Sequence, residues 1–113
     1  MSFNLSPPAS ALPIAVQPDH ERVVVAPEGE LDIATCPLLE RPVLELCALG
    51  FPAVCVDLRG LTFCDSSGLN LLLRLDDALR EAGCRFSIVD GDGPAARILT
   101  LTRVRERFLV ETL

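Results

Sequence analysis

A chain of 113 residues has room for one domain. Half of its residues are hydrophobic, which excludes a disordered or low-complexity tail and supplies an ordinary core. Ten basic residues stand against sixteen acidic ones, a net charge of −6. That balance argues against binding nucleic acid or an anionic membrane, because excess Lys and Arg drive both. Residues 1–10 are mostly Ser, Pro, Ala and Asn and read as a flexible leader. Leu12 to Val16 reads as a short edge strand, the one place in a sheet that tolerates Pro13. Pro18-Asp19-His20-Glu21 reads as a turn, with His20 simply a turn residue. Arg22 to Pro27 is a β-branched strand expected to pair with the first as a hairpin. Gly29-Glu30-Leu31-Asp32 reads as a turn that closes it.

A helical stretch is expected over about Cys36 to Leu49, with Thr35 as its N-cap and Pro37 in its first turn. Leu38, Leu39, Val43, Leu46 and Leu49 fall on one apolar face, and Gly50 ends the helix. Pro42 lies mid-segment and is expected to kink or shorten it. Ala53 to Leu58 is a near-continuous apolar run of the kind buried on both faces of a sheet. Residues 59–64 lead into Asp65-Ser66-Ser67-Gly68, where a long helix begins at Ser67 and runs to about Ala82, stopped by Gly83. Leu71, Leu72, Leu75, Leu79 and Ala82 form its core stripe. Arg85 to Val89 is a third buried strand, Pro94 to Leu101 a third helix, and Phe108 to Val110 a last short strand. Strands alternating with helices predict an α/β fold. It is a single small mixed sheet, an antiparallel edge hairpin plus parallel strands, covered by about three main helices over residues 11–113.

The five cysteines are odd in number, irregularly spaced and without a C-x-x-C pair. Neither a disulfide framework nor a metal site is expected, and most of these thiols should pack as small hydrophobes. The first residues lack a basic segment followed by an apolar run, so no secretory signal is expected. The longest apolar run is too short to span a membrane. The expectation is a reduced, cytoplasmic protein. Catalysis by the chain itself is not expected, and no cofactor is implied. There is no phosphate-binding glycine loop, no nucleophile elbow, and only His20 as a histidine.

Sites in such sheets gather at the carboxyl ends of strands. Gly29-Glu30-Leu31-Asp32 and Asp65-Ser66-Ser67-Gly68 both arrive there. Asp65 or Ser66 is placed to cap the long helix, which leaves Ser66 exposed at a helix start beside free backbone N–H groups. A phosphate on Ser66 would be tolerated by those donors but would set about 1.5 to 2 negative charges next to Asp65, and near Asp32. Either segment alone is an ordinary cap or turn. Cys64 beside Asp65 reads as packing, and Arg97, Arg103, Arg105 and Arg107 as a solvated face.

Taken together, GELDIAT and VDLRGLTFCDSSGLNLLL resemble the STAS domain family, specifically bacterial anti-sigma factor antagonists, in order and in spacing. The resemblance runs from about Ala11 to the end of the chain. It implies a partner switch in transcription regulation. The unmodified form binds an anti-sigma factor that is also an ATP-using serine kinase, and the sigma factor is released. The kinase phosphorylates the first serine of the motif, which falls on Ser66. The complex then dissociates, and a PP2C-type phosphatase resets it. The resemblance places Glu30, Asp32, Asp65, Ser66, Ser67, Gly68, Leu69 and Asn70 in the partner-binding surface, with Leu69 and Asn70 as surface contacts. It implies a monomer or weak dimer. The family also contains accessory subunits of transport or stress-sensing complexes that do not switch, and that is the alternative. Family members often carry a glycine near the end of the third helix, where this chain has Thr102-Arg103-Val104.

Overall fold

A computed structural model describes residues 11–19 and 21–113. The leader over residues 1–10 and the reading of His20 lie outside them. In chain order the elements are β1 (Ile14–Pro18), β2 (Val23–Pro27), β3 (Gly29–Leu31), α1 (Cys36–Ala48), β4 (Ala53–Asp57), β5 (Leu61–Cys64), α2 (Ser66–Glu81), β6 (Arg85–Val89), α3 (Pro94–Leu101), a 3₁₀ turn (Arg105–Arg107) and β7 (Leu109–Val110).

Five strands form one sheet in the order β1-β2-β4-β6-β7. Only β1 and β2 are antiparallel; the remaining pairs run parallel, joined by helical crossovers. The expected α/β architecture is the observed one. β1 is an edge strand, and Pro13 falls just before it rather than inside it. The centre of the sheet is buried throughout: Val54, Cys55 and Val56 of β4 and Phe86 to Val89 of β6 are all inside. Leu39 and Val43 from α1, Leu71, Leu72, Leu75 and Leu79 from α2, and Ala95 and Leu99 from α3 join Val23, Val25, Val54, Val56 and Ile88 in one cluster. Burying a large aliphatic side chain contributes about 1.5–3 kcal/mol, which is what holds the helices to the sheet.

Several expectations are corrected. Gly29–Leu31 is a strand, not a turn. It pairs in parallel with β5, itself read only as a lead-in, to form a separate two-stranded sheet. Helix α1 is not shortened by Pro42 but runs on to Ala48. The proline removes one ladder bond, to the carbonyl of Leu38 on the exposed side, and Val43 and Leu46 beyond it still have core to pack against. Leu38 and Leu49 lie off the buried face, and so does Ala82 at the end of α2. Thr35 does stand at the N-cap of α1, but its side chain caps nothing there. Helix α2 starts one residue early, at Ser66.

The helix ends explain the missing glycine. Helices α1 and α2 close with paired bonds: Gly50 N–H to Cys47 O with Phe51 N–H to Leu46 O, and Gly83 N–H to Arg80 O with Cys84 N–H to Leu79 O. Helix α3 closes the same way, but the left-handed position is held by Arg103 at φ +60°. The closing bonds and the buried Leu99 impose this conformation on a residue that does not favour it.

Candidate functional site

The two short strands build the site. In their register Leu31 is opposite Cys64, so the next residues, Asp32 and Asp65, leave two adjacent parallel strand ends side by side. The sequence-predicted carboxylates are thus brought together by a pairing that the sequence reading missed. Both act on one buried thiol: burial pushes the Cys36 thiol up first, then the Asp65 carboxylate, with Asp32 adding to it.

Each carboxylate also has a structural task. Asp65 is the N-cap of α2, and its side chain accepts from the N–H groups of Ser67 (2.9 Å) and Gly68 (3.3 Å). The N–H of Leu69 goes to the Asp65 carbonyl. Three N–H groups of the helix start are therefore already occupied, and a phosphate on Ser66 would have to compete with Asp65 for them. Asp32 accepts from the N–H of Ala34 (2.9 Å) and of Thr35 (3.0 Å). The Thr35 hydroxyl, in a residue only 2 % exposed, accepts from the N–H of Asp32 (2.9 Å) and donates to the Glu30 carbonyl (2.7 Å). That knot fixes the turn from β3 into α1 and uses the hydroxyl that would otherwise cap the helix.

Ser66 is the first residue of α2 and is exposed, and among the described residues its hydroxyl makes no hydrogen bond. Ser67 is half-buried, Asn70 and Glu30 are exposed, and Gly68 is buried. Leu69, expected as a surface contact, turns into the core and keeps only 7 % of its surface. The helical spacing decides this: Ser67, Asn70 and Arg74 share the outer face, while Gly68, Leu69, Leu71 and Leu72 share the inner one.

A groove of about 320 Å³ opens between α1 and α2, lined by Ile33, Cys36, Pro37, Glu40, Ser67, Asn70 and Arg74. Glu40 and Arg74 form an ion pair at 3.5 Å. Ile33, one residue past Asp32, is 80 % exposed, and Phe63 of β5 is also exposed. Ile33, Glu40 and Arg74 escaped the sequence reading. Ile33 alone left a signal, as an apolar residue inside a polar turn. Among the described residues no cluster of His, Cys, Asp and Glu could hold a metal ion.

Fold and site define a small α/β domain, with a candidate contact surface where strands end and helices begin. The chain belongs to the STAS domain family: the family model described as "Mlab, STAS domain" matches residues 14–111. It is similar to an anti-sigma factor antagonist from Mycobacterium paratuberculosis, at 28% identity and a TM-score of 0.76 over 94% of this chain and 90% of that one. It is also similar in fold to the Bacillus cell fate determinant SpoIIAA in its phosphorylated form (19% identity, TM-score 0.65, 90% of this chain and 92% of that one). A STAS domain protein from Planctomyces limnophilus shares the fold too, at 20% identity and a TM-score of 0.71 over 88% of each chain. No curated protein matches. No helix among the described residues is long and apolar enough to cross a membrane.

Proposed function

We propose that the chain is an anti-sigma factor antagonist that works as a phosphorylation switch. Unmodified, it docks on an anti-sigma factor serine kinase through the rim formed by Glu30, Asp32, Asp65, Ser66, Ser67 and Asn70, with Gly68 and Leu69 supporting the rim from below. Docking displaces the sigma factor. The kinase, with its own ATP, phosphorylates Ser66 and the complex separates; a PP2C-type phosphatase restores the free hydroxyl. The observation that carries this reading is the exposed Ser66 at a helix start beside two carboxylates, its hydroxyl without a hydrogen bond among the described residues. The likeness to the mycobacterial antagonist supports it.

The energetics favour an on–off response. Two negative charges about 4 Å from one carboxylate repel it by about 2 kcal/mol even at water's dielectric constant. That repulsion lies within the chain and is present free or docked; docking strengthens it by excluding water, and each ~1.4 kcal/mol so added weakens binding tenfold. The dipole of α2 returns only about 0.3–1 kcal/mol. Since Ser66 is exposed, the added charge bears on docking and leaves the core untouched.

Incubation with an anti-sigma factor serine kinase and ATP, followed by peptide mass spectrometry, should place one phosphate on Ser66. Ser66→Ala should bind the kinase and stay bound in ATP, while Ser66→Glu should lose at least tenfold in affinity with an unchanged melting temperature. Equal affinities for the two variants would refute the switch. Binding without any phosphate on Ser66 would point to a non-switching accessory role.

A further inference from the structure

We propose that Cys47 and Cys84 form a redox pair that closes reversibly into an intramolecular disulfide when a hydroperoxide is present. All five thiols are free in the structure, but they are not equivalent. The last turn of α1 and the segment after it lie along the chain between α2 and β6: Phe51 N–H bonds to Leu46 O, Arg85 N–H to Pro52 O, and the Cys84 thiol donates to Phe51 O at 3.3 Å. Cys47 packs against the core cluster that holds Cys84, four residues before the Phe51 whose carbonyl the Cys84 thiol reaches, and the two thiols bear on one another electrostatically. Cys47 is half-buried and keeps part of its surface open to an oxidant, whereas Cys84 is buried. The other thiols lack this combination. Cys55 is fully buried under Ser87 and Glu111, and Cys36 and Cys64 are buried beside Asp65, whose charge disfavours the thiolate.

The chemistry balances in two steps. The Cys47 thiolate attacks the peroxide, an S–O bond forms as the O–O bond breaks, and the departing hydroxide takes up a proton as water. Sulfur is oxidised by two electrons and the peroxide is reduced. The Cys84 sulfur then attacks the Cys47 sulfenic acid. An S–S bond forms, the S–O bond breaks, and the second hydroxide leaves as water with the Cys84 proton. A thiol reductant reverses the result. The bond would tie the end of α1 to the start of β6 and close a long loop of chain, which restricts the unfolded state.

The test uses the whole chain treated with hydrogen peroxide, alkylated with iodoacetamide and digested without reduction. The expected product is a peptide pair cross-linked through Cys47 and Cys84, two hydrogens lighter than its dithiol. The melting temperature should rise by several degrees, and dithiothreitol should reverse both changes. Cys47→Ser, chosen because its side chain is only partly buried, should abolish the cross-link and the rise in melting temperature. Recovery of Cys47 as a sulfinic or sulfonic acid, or bridged to a second copy, with Cys84 still alkylatable, would overturn the pairing.

Discussion

Gly68 shows how little room the site leaves. It is the third residue of α2, and it is buried because the helix start sits directly on β3 and β5. A Cβ at this position would come within 2.9 Å of both Cys64 Sγ and Leu31 Cδ2. The glycine is thus what lets Asp65 and Ser66 approach the end of β3, and with it Asp32. Gly68→Ala gains about 1 kcal/mol of helix propensity. Overpacking against a leucine and a thiol costs about 1–3 kcal/mol, and Leu31 is wholly buried and has nowhere to move. A net loss of about 1 kcal/mol and a fall of several degrees in melting temperature should follow, readable by calorimetry or circular dichroism. Because the shift would lift the helix start, affinity for the proposed kinase partner should fall as well. An unchanged melting temperature would show that the contact is not tight. Leu69 teaches the opposite lesson: named as a rim contact from its place in the motif, it is core. Position along a motif says which residues are near a site, but the helical period says which of them face it.

At the scale of elements, the N-terminus of α2 has two tasks that substitution can separate. Asp65 satisfies two N–H groups as a cap and also supplies the charge that should repel a phosphate. Asn caps as well as Asp, whereas Ala forfeits about 1 kcal/mol. Asp65→Asn should therefore leave urea stability nearly unchanged while Asp65→Ala lowers it. In a double-mutant cycle, Ser66→Glu should cost less affinity when combined with Asp65→Asn than in the parent, by the amount that docking, as it excludes water, strengthens the Asp65 repulsion. Strict additivity would assign the whole effect to lost fit. The elements that carry this site were unevenly legible in the sequence. All three helices were, because prolines, caps and stops punctuate an apolar stripe of 3.6-residue period. β3 and β5 were not: at three and four residues, with burial patterns too short to alternate, each exists only because it pairs with the other across the chain. Asp32, Asp65 and Ser66 could be named in advance from their motifs. The groove with Ile33, Glu40 and Arg74 could not, since it depends on how α1 packs on α2.

For the whole molecule, the ionisable groups set a pH window. On the acid side, burial pushes the Glu111 carboxyl up. Donation from Ser87 and Cys55, with the Arg22 guanidinium alongside, outweighs that and holds it below its ordinary 4.5. Hydrogen bonds from Arg59 likewise hold the Asp57 carboxyl below 3.8. A depressed carboxyl stabilises the fold above its unfolded value, and that contribution is lost as the pH falls through the folded one, so stability should decline below about pH 4.5. The alkaline side belongs to the cysteines. Burial pushes the thiols of Cys55, Cys64 and Cys84 up to about 11 from 9.0. An unfolded chain releases those protons near pH 9 while the native chain keeps them to about 11. Across that interval the unfolded state binds fewer protons, and stability must fall as the pH rises. The loss is up to about 1.4 kcal/mol per pH unit for each thiol, steep beside the total stability of a small domain. Urea midpoints under reducing conditions should hold steady from about pH 6 to 8 and drop sharply between about 9 and 11. Replacing Cys55 with Ala, at a modest cost in packing, should make that drop shallower, and a slope unchanged by the substitution would show that its thiol does not drive it.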